Sequence, residues 1–298
     1  GLEGRINYKK EGGLAMPATY TPLRYPGGKT KMYEFIQEVI NLNDLHESYI
    51  EPFAGGAGLA LKLLIKRNVN RIVINDSDRA IFCFWKSALN FTDDLCEFIK
   101  TVPLDIETWN KQRQIYLDKV NYSDIQVGMA TLYLNRTNVS GIIKGGLIGG
   151  LKQNGVYKMD ARFNRDTLVK KIKVIASYRK QIDILNQDVF DLLHSTEIKD
   201  KQNTLINFDP PYVNKGGQLY MNYFNVADHI RLEEEIEKIG GNWIVTYDAC
   251  ELIRDKYSAF RQTHMDINYS ARTSRHAQEL VVFSDKLQIP SNVELTNR

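Results

Sequence analysis

The 298-residue chain is poor in the residues that hold metals and disulfides. Its three cysteines, Cys83, Cys96 and Cys250, show no CxxC spacing and no even pairing. That counts against a disulfide scaffold and a zinc site, and suits a reducing compartment. The five histidines fall at no metal-ligand spacing, so no metal is expected. No apolar run approaches the roughly 18 residues of a membrane span, and no charged-apolar-small signal pattern opens the chain. The cytoplasm is therefore the default and no membrane partner is expected. No internal repeat is visible. Residues 1–15 begin without methionine and read as a leader or cloning remnant outside the fold.

Charge is scarce only in sum. The net value is +3, but residues 136–180 hold eleven Lys or Arg against two Asp, a local balance of +9 that leaves about −6 for the remainder. A locally gripped polyanion and a solvated helical face both account for such a segment.

Short apolar runs alternate with helical patterns. "SYIEPF" (48–53) precedes a helix over 57–67, and "RIVIND" (71–76) precedes one over 78–90. The alternation resumes with "IDILNQD" (182–188), "TLINFD" (204–209), a helix over 228–239 and "WIVTYD" (243–248). This order predicts an α/β fold with a mostly parallel sheet, and "FRQTHMDI" with "QELVVF" predicts a hairpin at one edge. Between the halves the pattern turns to helices, the glycine-rich "SGIIKGGLIGG" and the basic segment. Residues 16–100 and 182–290 therefore read as one domain, and 101–181 as a smaller, mainly helical insertion.

Three stretches carry chemistry. "RYPGGKTK" (24–31) ends like a phosphate loop, yet Leu23 stands where the Walker pattern needs its first glycine and no clear strand leads in. A glycine turn opens a helix over 29–41 there, and the residues leave its ligand open. In "EPFAGGAG" (51–58) a strand end runs into glycines and then a helix, where the backbone can approach a ligand and free N–H groups point at it. Asp76 in "INDSD" ends the next strand about twenty residues later, where an acid can take both ribose hydroxyls of a nucleoside; Asp78 is the more natural helix cap. In "NFDPPY" (207–212) two prolines hold the chain extended and present Asp209 and Tyr212 rigidly at a strand end.

At Asp209, Pro210, Pro211 and Tyr212 the chain resembles the DNA adenine-N6 methyltransferases of the Dam-like family, whose hallmark is Asp-Pro-Pro-Tyr. "RYPGGK", "EPFAGGAG", "INDSD" and "NQDVFDL" match that family's further motifs in order, over about 22–284. The resemblance implies a Rossmann-like methyltransferase fold using S-adenosylmethionine, held by Tyr25, Gly27, Gly28, Lys29, Pro52, Phe53, Gly55, Gly56, Asp76, Asp188, Val189 and Asp209. It implies that the insertion is a target-recognition domain for double-stranded DNA, contacted by Arg136, Asn138, Lys144, Lys152, Lys158, Arg162 and Arg165, in a monomer or weak dimer. A prokaryotic or phage-encoded, nucleoid-associated protein is implied as well. Arg272 and Arg275 in the closing hairpin are further candidates for the DNA backbone.

The implied chemistry answers a weak nucleophile, because adenine's exocyclic amine shares its lone pair with the ring. A carboxylate at Asp209 and the carbonyl of Pro210, each accepting one N6 hydrogen, would free that pair for in-line attack on a methyl group. The amine lies inside the duplex stack, so the base must leave it, and Tyr212 is suited to stack on it. Cytosine N4, RNA adenine and a protein amide pose the same problem and remain alternatives, as does a non-catalytic DNA-binding protein. Cytosine C5 transfer is set aside for want of a Pro-Cys nucleophile. His229, beside Asp228, reads as part of a helix start. Glycines 145, 146, 149 and 150 read as a mobile loop or a flexible linker.

Overall fold

The computed structural model describes residues 19–25, 30–198, 201–211, 213, 224–268 and 276–296. Seven strands form one sheet: β1 (Ser48–Glu51), β2 (Arg71–Asn75), β3 (Ile182–Leu185), β4 (Thr204–Phe208), β5 (Asn242–Asp248), β6 (Arg261–Asn268) and β7 (His276–Phe283). Their order is β3-β2-β1-β4-β5-β7-β6. The first five are parallel, and β7 runs antiparallel between β5 and β6. The expected hairpin is thus present, with its second strand slotted inside its first. The order reverses between β1 and β4, the switch point at which open α/β sheets of the Rossmann-like kind bind ligands.

The apolar runs "RIVIN" and "TLINF" are continuous because both faces of a parallel sheet are covered. Tyr49, Ile72, Ile74, Leu205 and Ile244 point to one core, while Ile50, Val73, Ile206, Phe208 and Val245 point to the other, the alternation a strand imposes. The first core is closed by α1 (Thr30–Asn43), α2 (Gly58–Ile65) and α3 (Arg79–Asn90). The second is closed by α8 (Val189–Leu193), α9 (Val226–Glu237) and α10 (Glu251–Lys256).

Helices α4 (Thr92–Thr101), α5 (Ile106–Leu117), α6 (Asp124–Thr137) and α7 (Arg165–Ser177) add a further layer on α3. Their Leu95, Ile115, Leu132, Tyr133, Leu168 and Ile172 belong to the first core rather than to one of their own. Contact between α3 and α6 is close enough to require Gly128, where a Cβ would meet Ser87 Oγ at 2.3 Å and the Cys83 carbonyl oxygen at 2.5 Å.

Element ends follow local chemistry. β1 stops at Glu51 because Pro52 has no N–H for the ladder. Asp78 caps α3, accepting from Ala80 N at 2.9 Å. The helix expected over 228–239 starts two residues earlier because Asn225 and Asp228 form a capping box, leaving His229 inside it. No helix among the described residues is long and apolar enough to cross a membrane.

Candidate active site

The carboxyl ends of β1, β2 and β3 are sewn together by one buried amide. Asn75 Nδ2 donates to the carbonyls of Pro52 and Gln187, both at 3.0 Å, and its Oδ1 accepts from Gln187 N at 2.9 Å. Ala54 N donates to the Asn75 carbonyl at 2.9 Å. Asn186 Nδ2 donates to the carbonyls of Asp76 and Ser77. Neither asparagine stood out in the sequence; their position beside two motif aspartates was the only signal.

On this frame the glycine turn and Asp76 meet. Gly55, at φ +50°, donates its N–H to Asp76 Oδ2 at 3.0 Å, while Asp76 Oδ1 accepts from Asp78 N at 2.9 Å. Burial pushes the Asp76 carboxyl up to about 7, against the pull of these two N–H donors. The Tyr25 ring lies over the turn so closely that a Cβ at Gly55 would reach it at 2.6 Å and one at Gly56 at 3.2 Å. Gly55 is therefore required both for its left-handed backbone and for this approach.

The residue before Tyr25 is fastened to α6. Arg24 N donates to Asn135 Oδ1, and Asn135 Nδ2 returns a bond to the Arg24 carbonyl. Pro26, Gly27, Gly28 and Lys29, the rest of the amino-terminal motif, lie outside the described residues. At the end of β3, Asp188 Oδ1 accepts from Phe190 N at 2.8 Å as the cap of α8, and Val189 is buried behind it.

β4 delivers Asp209, half-buried, with Pro210 buried beside it. Thr246 on neighbouring β5 offers its hydroxyl to Asp209 Oδ1 at 3.3 Å and to the Phe208 carbonyl at 3.4 Å. Val213 N donates to Asp248 Oδ1 at 3.4 Å, which ties the chain after the prolines to the end of β5. Tyr212 lies outside the described residues. Phe224 packs edge-on against Phe53 at 5.6 Å, stacks with Phe190 at 6.1 Å and meets His229 at 4.8 Å. It joins residues that follow β1 and β3, and sequence reasoning passed it over. His229 Nδ1 pairs with the Tyr247 hydroxyl at 2.8 Å, and burial lowers its pKa to about 4.

The basic segment divides into ties and exposed cations. Asn138 is fully buried; its amide donates to the carbonyls of Ile142, Ile143 and Gly145 and accepts from Trp109 Nε1 at 2.8 Å. It shapes the loop and cannot touch a base. Arg136 donates to the carbonyls of Pro22 and Arg162, and Arg165 to those of Ile99 and Val102. Both spend donors on the fold. Lys144, Lys152, Lys158 and Arg162 are exposed, and the charge of Lys144 reaches Asp78 at the edge of the site. The glycine-rich stretch is a closed loop rather than a linker, since Val139 N bonds to the Gly146 carbonyl and Ile148 N to the Thr137 carbonyl. Arg272 and Arg275 lie outside the described residues. Among the described residues no group of His, Cys, Asp and Glu could hold a metal ion.

Comparison with known proteins bears on this site. The family model of D12 class N6 adenine-specific DNA methyltransferases matches residues 25–271. The Type II methyltransferase M.MjaIII of Methanocaldococcus jannaschii is 28% identical over 240 residues, covering 73% of this chain and 79% of that protein. Among solved structures, the rRNA methyltransferase AviRa of Streptomyces viridochromogenes aligns over 87% of this chain and 86% of its own at 12% identity, with a TM-score of 0.37. TrmK of M. capricolum, in complex with S-adenosylhomocysteine, aligns over 86% and 70% at 6% identity, with a TM-score of 0.38.

Proposed function

The chain belongs to the D12 class of N6 adenine-specific DNA methyltransferases, and from that premise we propose how its residues divide the work. The enzyme transfers a methyl group from S-adenosylmethionine to adenine N6 in DNA. The residues fit that cofactor: a glycine turn with no room for a side chain stands beside a carboxylate at the end of the next strand, at the sheet's switch point. Asp76 takes the ribose hydroxyls; Pro52, Phe53, Asp188 and Val189 border the adenine; Tyr25, Gly55 and Gly56 line the turn. Gly27, Gly28 and Lys29 serve the methionine end, with Lys29 as the partner of its carboxylate. When bound, the cofactor supplies a methyl group made electrophilic by a sulfonium.

Asp209 and the Pro210 carbonyl would accept the two N6 hydrogens and favour a pyramidal nitrogen. The lone pair, otherwise delocalised into the ring, is then free to form the N–CH3 bond as the cofactor's S–CH3 bond breaks, and Asp209 takes the proton that N6 then loses. Pro211 keeps this stretch extended and Tyr212 stacks on the base, which reaches the site by leaving the duplex. Lys144, Lys152, Lys158 and Arg162 hold phosphates, while Arg136, Asn138 and Arg165 keep residues 101–181 in shape as the target-recognition segment. Thr246 at Asp209 is the observation that supports this reading most, because a carboxylate that must accept one particular hydrogen needs its own orientation fixed. We take the enzyme to be a monomer or weak dimer, cytoplasmic and nucleoid-associated in a prokaryote or phage, and the modifying half of a restriction-modification pair.

The test is transfer of labelled methyl groups to duplex DNA, followed by sequencing of the methylated product to map base and site. Asp209→Ala should abolish transfer and leave cofactor binding largely intact. Near-normal turnover in that variant would sink the assignment.

A further inference from the structure

Ladder pairing of β2 with β3 ends at Asn75 and Leu185, and Asp76 and Asp188 lie just past it. Two asparagines hold the strand ends together where the ladder stops. Asn75, 1% exposed, reaches across to Gln187, donating to its carbonyl at 3.0 Å and accepting from its N–H at 2.9 Å. Asn186 reaches back, donating to the carbonyls of Asp76 at 2.9 Å and Ser77 at 3.2 Å. Asn75 serves β1 as well: its Nδ2 donates to the Pro52 carbonyl at 3.0 Å, and its own carbonyl accepts from Ala54 N at 2.9 Å. Both side-chain amides thus bond to backbone and extend the ladder beyond its end.

These bonds hold a spacing. A nucleoside fixes the distance from its ribose hydroxyls to the edge of its base, so the carboxylates that meet the two must stand at one separation. Each carboxylate is already oriented by backbone N–H groups, Asp76 by those of Gly55 and Asp78 and Asp188 by that of Phe190. Their separation is left to the contacts between the two strand ends. We propose that Asn75 and Asn186 form a clasp that sets the distance between Asp76 at the ribose and Asp188 at the adenine, and are positioning residues for the nucleoside of S-adenosylmethionine. The clasp acts through the two carboxylates. A shift of about 1 Å in such a group can cost on the order of a hundredfold, because hydrogen bonds weaken steeply with distance and angle. It also bears on selectivity. Exchange of the adenine amine for a carbonyl, as in an inosine analogue, turns a donor into an acceptor, and a carboxylate held in place rejects it.

The inference rests on the roles of Asp76 and Asp188 proposed above, and the experiment separates the two. Wild type, Asn75→Ser, Asn186→Ala and Asp188→Ala are titrated by calorimetry with S-adenosylhomocysteine and with S-inosylhomocysteine, and turnover on the mapped duplex is measured at saturating S-adenosylmethionine. Each asparagine variant should lose about tenfold or more in affinity for S-adenosylhomocysteine, with saturated turnover within about threefold of wild type. Its preference for the adenine analogue should fall by about fivefold or more. A merely structural asparagine would weaken both analogues alike. Wild-type affinity in both asparagine variants therefore overturns the clasp, as does an equal loss for the two analogues. Asn186 faces solvent and gives up only the bonds to Asp76 and Ser77, so Asn186→Ala decides the matter alone if Asn75→Ser does not fold. If wild type binds the two analogues equally, or Asp188→Ala binds as wild type does, the role of Asp188 fails and takes the clasp with it.

Discussion

Arg24 and Asn135 close a reciprocal pair of hydrogen bonds: Arg24 N donates to Asn135 Oδ1 at 2.7 Å and Asn135 Nδ2 donates to the Arg24 carbonyl at 2.9 Å. One side-chain amide thus imitates a strand neighbour and fastens the segment before Tyr25 to α6. Asn135→Ala should deprive three backbone groups, the N–H and carbonyl of Arg24 and the carbonyl of Gly141, of this partner, costing about 1–3 kcal/mol each where water cannot replace it. The Tyr25 ring would lose its anchor, so cofactor affinity should fall as well as thermal stability. Calorimetry with S-adenosylmethionine checks both, and an unaltered affinity would mean that Tyr25 is held without Asn135.

Thr246 should matter through its hydroxyl alone. Thr246→Val keeps shape but removes the donor at Asp209, so turnover should drop roughly tenfold while cofactor affinity holds, and Thr246→Ser should restore most of it. Equal turnover for Val and Ser variants would deny the hydroxyl this role.

Cofactor affinity should depend on pH through Asp76. Burial raises its carboxyl from 3.8 to about 7, so the ionised form that accepts ribose hydroxyls fills only as pH rises through 7. Binding should tighten by about tenfold between pH 6 and 8 and release a proton, while the free protein loses stability as pH rises from 3.8 to 7, because there the unfolded chain gives up a proton that the folded carboxyl keeps. Titrations in two buffers of different ionisation enthalpy measure the proton; affinity flat with pH would contradict the assignment.

His229 works in the opposite sense. Burial lowers its pKa from 6.5 to about 4, so its contribution to stability is complete above 6.5 and is lost as pH falls towards 4. Urea denaturation at pH 7 and pH 5 should differ by about 1–3 kcal/mol more in wild type than in His229→Gln, with the order of magnitude set by the shift. Identical pH slopes would show another group to be responsible.

A stability test of the helical layer is Gly128→Ala. The added methyl meets the Cys83 carbonyl, backbone that cannot swing aside, so destabilisation of about 1–3 kcal/mol is expected. A melting temperature at or above wild type would mean that α3 and α6 part without loss.

The strands were legible because a doubly covered parallel sheet leaves unbroken apolar runs, and the edge hairpin because its two runs are adjacent in sequence. Asp209, Asp76 and Gly55 were legible because each sits in a short local motif at a strand end. Asn75, Asn135, Phe224 and Thr246 were not. Their partners lie far away along the chain, 111 residues in the case of Arg24 and Asn135, and an amide bonded to a carbonyl leaves no periodic trace. Four glycines in six residues read as looseness, whereas the buried amide of Asn138 and the braces of Gln153 close the loop around them. Arg136 and Asn138 were picked out through the family resemblance and Arg165 for its charge, and the fold uses all three as ties.

Because Leu132, Tyr133 and Ile172 fill the same core as Ile72 and Leu205, residues 101–181 are not a detachable cassette. Grafting 101–181 from a relative with another target would open the sheet's own covering. Exchange confined to the residues between Leu147 and Met159, most of which face solvent, would leave that covering closed, so variation can be tolerated there without loosening the sheet.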